Sequence, residues 1–150
     1  MDRNELYYQY LLELQTYNPT IHPIKGHNYV EDILQYEVQW IDIVKDGCPI
    51  GFLLIGYGQN KHPSSDYYIQ EAFILPEHRR ERRMFRVVSE FLSLHKGKYC
   101  MFILNSNKVA KAFWRKVVKE NHCKWISLID VGAADEYCQQ YGFVTPVEAP

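Results

Sequence analysis

Glu71-Ala72-Phe73-Ile74-Leu75-Pro76-Glu77-His78-Arg79-Arg80-Glu81-Arg82-Arg83-Met84 is the stretch from which the rest of the chain can be read. Together with Tyr67-Tyr68-Ile69-Gln70 before it, its first half is an apolar run of strand character that stops at Pro76. A mostly charged loop follows, and a helical pattern begins near Arg83. A strand feeding a helix through a short loop aims several backbone N–H groups at one spot, at the positive end of the helix. That arrangement binds phosphate. Such loops use glycine so that the backbone can approach the ligand closely; here arginines stand in those places.

Downstream, Phe85, Val88, Phe91 and Leu92 share one face of a helix over residues 83–94, which His95-Lys96-Gly97 ends. Residues 98–104 form a buried-looking strand. Asn105-Ser106-Asn107 then caps a helix whose apolar stripe is Val109, Ala112, Phe113, the Lys116 stem and Val117. Strands over 125–131 and 141–144 finish the chain. Upstream, Asn4 caps a helix carrying Leu6, Tyr7, Tyr10, Leu11 and Leu14, which ends before Asn18-Pro19. Asn28 caps a second one, with Glu31 reaching back and Tyr29, Ile33, Leu34 and Tyr36 as its apolar set. Between these helices and the opening stretch, Val38, Trp40, Ile41, Ile43 and Val44 read as a strand and residues 50–57 as another. Asp46-Gly47 between them is a hairpin signal. The order predicts a single domain over residues 1–150 of α/β (α+β) class. Its mixed central sheet of about six to seven strands has helices on both faces and a right-handed parallel crossover in the middle.

Length and charge limit the function classes. A chain of 150 residues supports one full core. The formal charge of −1, from 17 basic and 18 acidic residues, gives no global field to draw it to nucleic acid or membrane. The arginine loop could then act only locally: as a phosphate site, as a solvated basic loop, or as a nucleic-acid contact. Four cysteines form no CxxC pair, and Cys48 and Cys100, in apolar runs, read as buried reduced thiols. Neither a signal-peptide pattern nor a bilayer-length apolar run is present, so a cytoplasmic, soluble protein is expected. Six histidines show no HxxxH spacing, and no metal site is expected.

The order of elements, and four groups of residues within it, resemble the GNAT superfamily of acyl-CoA-dependent N-acyltransferases. The hairpin around Asp46-Gly47 looks like two of the family's strands. Glu71 to Arg80 looks like the strand and loop entry of its CoA site, with residues 85–94 as the helix behind it. Asn107-Lys108-Val109-Ala110-Lys111-Ala112-Phe113-Trp114 is similar to its Asn-x-x-Ala-x-x-Phe-aromatic helix. The resemblance covers roughly residues 35–120.

It implies an N-acetyltransferase that moves an acetyl group from acetyl-CoA to a primary amine by direct attack in a ternary complex. Acetyl-CoA would lie in a splayed gap between the strand over 67–75 and the strand over 98–104. Backbone groups of Phe73, Ile74 and Leu75 would pair with the pantetheine arm, and an amide near Phe73 or Ile74 would hold the oxyanion. The family's loop pattern, Gln/Arg-x-x-Gly-x-Gly/Ala, falls on Arg79, Arg82 and Met84, so its two glycine positions are not matched. Arg79, Arg80, Arg82 and Arg83 could hold phosphate through their side chains instead. Asn107 would sit beside the pantetheine as well as capping its helix, and Phe113 would line the site. Glu71 is the candidate base, because an amine must lose its extra proton before it attacks a thioester. A glutamate on a solvated strand face, or one salt-bridged to Arg or Lys, is the alternative. The family's proton-donating tyrosine is replaced by Trp114, which has no acidic proton to give near neutral pH. A GNAT-fold module without catalysis, used for binding or regulation, is the rival reading. The acceptor amine is open, and the C-terminal strands could join a partner's sheet in a homodimer or complete their own.

Overall fold

The computed structural model describes residues 1–128 and 136–147 of the 150. Its sheet contains β1 (Val38–Lys45), β2 (Cys48–Gly56), β3 (Tyr67–Ile74), β4 (Lys98–Leu104), β5 (Lys124–Ile126) and β6 (Cys138–Val144). They lie in the order β1-β2-β3-β4-β6-β5. All neighbours are antiparallel except β3 and β4, which are parallel. The expected hairpin is present: Asp46 (φ +52°) and Gly47 (φ +78°) are both left-handed, the backbone a two-residue turn needs to follow the twist of its strands. The crossover from β3 to β4 runs through α3 (Arg83–Leu94).

Helices cover both faces of the sheet. On one side α1 (Arg3–Gln15) and the single-turn α2 (Tyr29–Ile33) bury Leu6, Tyr7 and Ile33 against Phe52, Leu54 and Phe73. On the other, α3 and α4 (Lys108–Glu120) bury Met84, Val88, Leu92, Trp114 and Val117 against Leu53, Ile69, Met101 and Phe143. Arg3 ties α1 to the sheet through two bonds to the Asp42 carboxylate, at 3.0 and 2.9 Å. That contact holds Asp42 below its usual carboxylate pKa. Within the described residues β6 pairs with β4 on one side and β5 on the other, so the C-terminal strands complete the chain's own sheet.

Several local expectations are corrected. Asp2, not Asn4, caps α1, its carboxylate accepting the Glu5 N–H at 2.8 Å. Asn4 is recruited elsewhere: its side-chain oxygen accepts the Val30 N–H at 2.9 Å and holds α2 against α1. Asn28 does cap α2, but Leu34 and Tyr36 lie beyond that single turn and are exposed. The buried stripe of α4 is turned by about one residue from the expected one. Burying the large Trp114 ring brings Ala110, Val117 and Val118 inward and leaves Val109 67% exposed, with Ala112 and Lys116 also outside. Cys48 is exposed at the start of β2, whereas Cys100 is buried as expected. The strand expected over 125–131 is ordered as β5 only to Ile126, and its last three residues lie outside the described region. The final strand begins earlier than expected, at Cys138, because it pairs along the whole of β4.

Leu6 is fully buried and anchors α1 on the sheet. Leu6→Ala is expected to cost about 2–5 kcal/mol, seen in urea unfolding as a lower midpoint at unchanged slope.

Candidate active site

The site starts from a break in the sheet. β3 and β4 are paired only over Tyr67–Ile69 and Tyr99–Met101. At Gln70 the β2–β3 register slips, so Leu54 faces Glu71 while Ile55 faces Ile69. The extra residue is a bulge, which bends a strand and leaves the next side chains on the opposite face. Beyond it β3 and β4 diverge, and a cleft opens between them.

The open edge of β3 follows from the ladder. The Leu75 N–H donates to the Ile50 carbonyl at 2.9 Å, which turns the backbone groups of Leu75, Phe73 and Glu71 toward β2. Those of Ala72 and Ile74 therefore face the cleft. Of the three residues expected to present backbone to a ligand, Ile74 turns its backbone to the cleft, where Arg79 holds its carbonyl; Phe73 and the Leu75 N–H are turned to the neighbouring strand, and the Leu75 carbonyl accepts the His78 N–H. Ala72, the other open position, is visible only once the bulge is known.

Two cavities meet in the cleft and share Glu13, Ala72, Asn107, Ala110 and Trp114. One, of about 280 Å³, lies toward the loop and the start of α3 and is lined by Arg79, Arg82, Met84, Phe85 and Phe113 among others. The other, of about 160 Å³, lies toward α1 and contains Tyr10, Glu71, Met101 and Ile103. Trp114 is 6% exposed and forms their common floor, and Phe113 meets it edge-on with ring centroids 5.0 Å apart. Asn107 caps α4, its side-chain oxygen accepting the Ala110 N–H at 3.0 Å, and lines both cavities.

The bulge places Glu71 on the α1 side, where the Tyr7 hydroxyl donates to its Oε1 at 2.7 Å. The other oxygen, Oε2, is buried and has no partner among the described residues. Removal from water pushes the Glu71 carboxyl up to about 7, against the opposing pull of the Tyr7 hydrogen bond. Both alternatives for this residue are thereby corrected: Glu71 is not on a solvated face, and it makes no salt bridge with the described residues. Burial, with the Glu71 charge nearby, also raises the pKa values of Tyr7, Tyr10 and Tyr68, so these phenols stay protonated.

The arginine loop is tied down from within. Residues Pro76–Glu81 make a short 3-10 helix, and Arg82 follows at φ +59°, in the left-handed region that glycine favours. That conformation costs an ordinary residue about 1–2 kcal/mol. Arg82 stacks on the Phe85 ring, 4.4 Å to its centroid, and reaches Glu120 at 3.4 Å. Arg79 donates to the Ile74 carbonyl at 2.9 Å and grips the Glu13 carboxylate of α1 through both terminal nitrogens, at 2.8 and 2.7 Å. Arg83 turns away from the cleft to Glu81 (2.7 Å) and the Val44 carbonyl (3.4 Å). Glu81 also takes Lys45 (2.8 Å) and His78 (3.0 Å). Lys45 first, then His78 and Arg83, hold its carboxyl far below the ordinary range. Four arginines converging on one ligand is thus corrected: Arg79 and Arg82 line the cleft, Arg83 does not, and exposed Arg80 makes no ion pair with the described residues. Met84, expected as a loop position, lies in the first turn of α3 and is buried in the core, with an edge on the larger cavity. The N–H groups of Arg83, Met84 and Phe85 find no acceptor among the described residues, as expected in the first turn of a helix that lacks a side-chain cap.

The contribution of α1 was not expected. Tyr7 and Tyr10 were expected only as members of an apolar helical stripe, and Glu13 was not singled out. The available signal was chemical: a buried tyrosine needs a partner for its hydroxyl, and that partner is Glu71.

No protein-family model and no curated protein matches the chain, but solved structures do. An acetyltransferase from Thermus thermophilus superposes with a TM-score of 0.63 at 15% identity, over 93% of this chain and 88% of that one. A GNAT-family acetyltransferase from Bacteroides thetaiotaomicron gives 0.55 at 15% identity, over 95% and 82%. An aminoglycoside 6'-N-acetyltransferase complexed with coenzyme A gives 0.56 at 11% identity, over 100% and 97%. The chain has the GNAT fold.

Glu71 supplies a test independent of any ligand. A carboxyl whose folded pKa is raised lends its full stability below its unfolded value, near 4.5, and loses it as pH rises toward about 7. Glu71→Gln removes this loss. The variant is expected to be more stable than the wild type at pH 8 by on the order of 3 kcal/mol, with the difference shrinking as pH falls to 4.5, in thermal unfolding across pH.

Proposed function

We propose that this chain is an N-acetyltransferase that transfers an acetyl group from acetyl-CoA to a primary amine by direct attack in a ternary complex. One observation carries the reading: a buried carboxylate with a free oxygen stands in the smaller of two cavities that meet in the splayed gap of a GNAT fold. The larger cavity, beside the uncapped start of α3, takes the donor; the smaller takes the amine. The residues fit that donor, because the backbone of Ala72 and the Ile74 N–H face the cleft and can pair with a strand-like arm, while Arg79 holds the Ile74 carbonyl. The N–H groups of Arg83, Met84 and Phe85, without an acceptor among the described residues, suit a diphosphate, with Arg82 beside them and Arg80, which makes no ion pair with the described residues, for a further phosphate.

The donor supplies an acyl thioester, and the chain's own groups do the rest. Glu71 Oε2 takes the proton of the incoming ammonium, for which a pKa of about 7 is well placed. The Ile74 N–H, facing the cleft, donates to the thioester oxygen as charge develops there. Trp114 and Phe113 keep water from the reacting atoms. As the C–S bond breaks, the proton that the new amide nitrogen sheds passes to the departing thiolate through water or through the hydroxyl of Tyr17, a residue that lines the donor cavity.

The rival reading, a binding or regulatory module without catalysis, draws support from the loop: three of its arginines already have partners inside the protein. Calorimetry and steady-state rates decide between the two. Wild-type protein is expected to bind CoA at about millimolar or tighter, and Arg82→Gly to tighten it by admitting the phosphates more closely. Glu71→Gln is expected to lower kcat/KM for the amine by about 10²–10⁴-fold. The wild-type kcat/KM should climb with pH and level off above about 7. A wild type that ignores CoA while Arg82→Gly binds it would favour the module.

A further inference from the structure

Glu71 does not stand alone. The Tyr7 hydroxyl donates to its Oε1 at 2.7 Å, and no other hydrogen bond reaches the carboxylate from the described residues. Tyr7 is buried and lines neither cavity of the cleft, so it meets no guest directly. Its ring stacks on Phe52 at 5.7 Å between centroids and packs against Tyr10, Tyr29 and Trp40 at 5.6, 5.1 and 6.3 Å. A hydroxyl on a ring so confined has little choice of position. Burial first, and then the charge of Glu71, raise its pKa far above that of an ordinary phenol, so it stays a donor and takes no part as an acid or base.

The rest of the surroundings offers the carboxylate no cation. α1 contributes Tyr10 and Glu13, β3 contributes Tyr68, and Tyr29 of α2 stands against Tyr7. β2 sets Leu54 opposite Glu71, while β4 and α4 add Met101, Phe102, Asn107 and Trp114 to the same cavity. Glu13 is itself neutralised by Arg79, at 2.7 and 2.8 Å. Lysine, arginine and histidine are absent from the described lining of that cavity. One hydrogen bond thus does for the ionised form what a cation does for other buried carboxylates.

The same bond divides the two oxygens. A proton on Oε1 would weaken the bond from Tyr7, whereas a proton on Oε2 leaves it intact. We propose that Tyr7 is a positioning residue for acetyl transfer: by holding Oε1 it keeps Glu71 ionised and reserves Oε2 for the proton of the amine. That proton passes from the ammonium nitrogen to a lone pair of Oε2, and the Tyr7 O–H bond is not broken. The role rests on the acetyl-transfer reading.

Tyr7→Phe keeps the ring and its packing and removes the donor alone. Two measurements compare it with the wild type: the Glu71 carboxyl followed by carbon NMR across pH, and CoA release from acetyl-CoA across pH. The acceptors are 2-phenylethylamine, glucosamine and a lysine-containing peptide. The sign separates positioning from mere support of α1. A loosened helix would admit water and bring the titration of Glu71 down from about 7 toward its ordinary value of 4.5; a lost donor raises it. Expected is a rise of about one pH unit or more, the scale of a hydrogen bond to a charged group. The ascending limb of kcat/KM should move up with it, a loss of about tenfold on that limb for each unit. A midpoint that stays or falls overturns the proposal, and wild-type turnover then leaves the acetyl-transfer reading standing. A midpoint that rises while the kcat/KM limb stays in place overturns it likewise. Without wild-type turnover of any of the three acceptors the proposal fails; if CoA also fails to bind in calorimetry, the acetyl-transfer reading fails with it.

Discussion

β3 and β4 share three paired residues and then part, and every feature of the site depends on that early separation. Parallel strands in a closed sheet satisfy each other's backbone along their length. Here the bulge at Gln70 ends the pairing, leaves the backbone of Ala72 and the Ile74 N–H facing the cleft, and turns Glu71 to the α1 face. One inserted residue thereby makes the gap and sets the carboxylate beside it. The open edge is a liability in a solvated strand; inside a cleft it becomes a place for an extended ligand to pair.

The loop solves a different problem by charge. Without glycine, the left-handed turn into α3 falls on Arg82, and the strain is offset by the Phe85 stack and the Glu120 ion pair. Glu81 gathers Lys45, His78 and Arg83 about itself, while Arg79 bridges α1 and β3 through Glu13 and the Ile74 carbonyl. The basic run therefore braces the fold at the hinge between strand, loop and helix. Much of its charge is neutralised locally, which leaves the backbone of the first helical turn as the principal unpaired donor set. The fold holds without the glycines that such loops ordinarily carry.

The two helices before the sheet acquire a role of the same kind. Tyr7 fixes one oxygen of Glu71 and leaves the other free, and Glu13 restrains Arg79 at the mouth of the cleft. α1 is held in turn by Leu6 in the core and by Arg3 on Asp42. The catalytic geometry proposed for Glu71 thus depends on a helix 64 residues away in sequence.

Local chemistry in the amino-acid order was enough for the Asp46-Gly47 turn, the strand stopping at Pro76, the Asn107 cap and the strand–helix–strand crossover. Each of these depends on neighbours a few residues apart. The same order singled out Glu71, Ile74 and Arg79, which line the two cavities of the cleft. It left open whether Glu71 was solvated, which face α4 buries, and where the arginines point. Those were decided by contacts between distant segments: Tyr7 reaching Glu71, Trp114 drawing its side of α4 inward, and Glu13 capturing Arg79. A carboxyl near pKa 7 and an arginine held at a carbonyl arise from burial and pairing across the fold, for which a one-dimensional pattern carries no period.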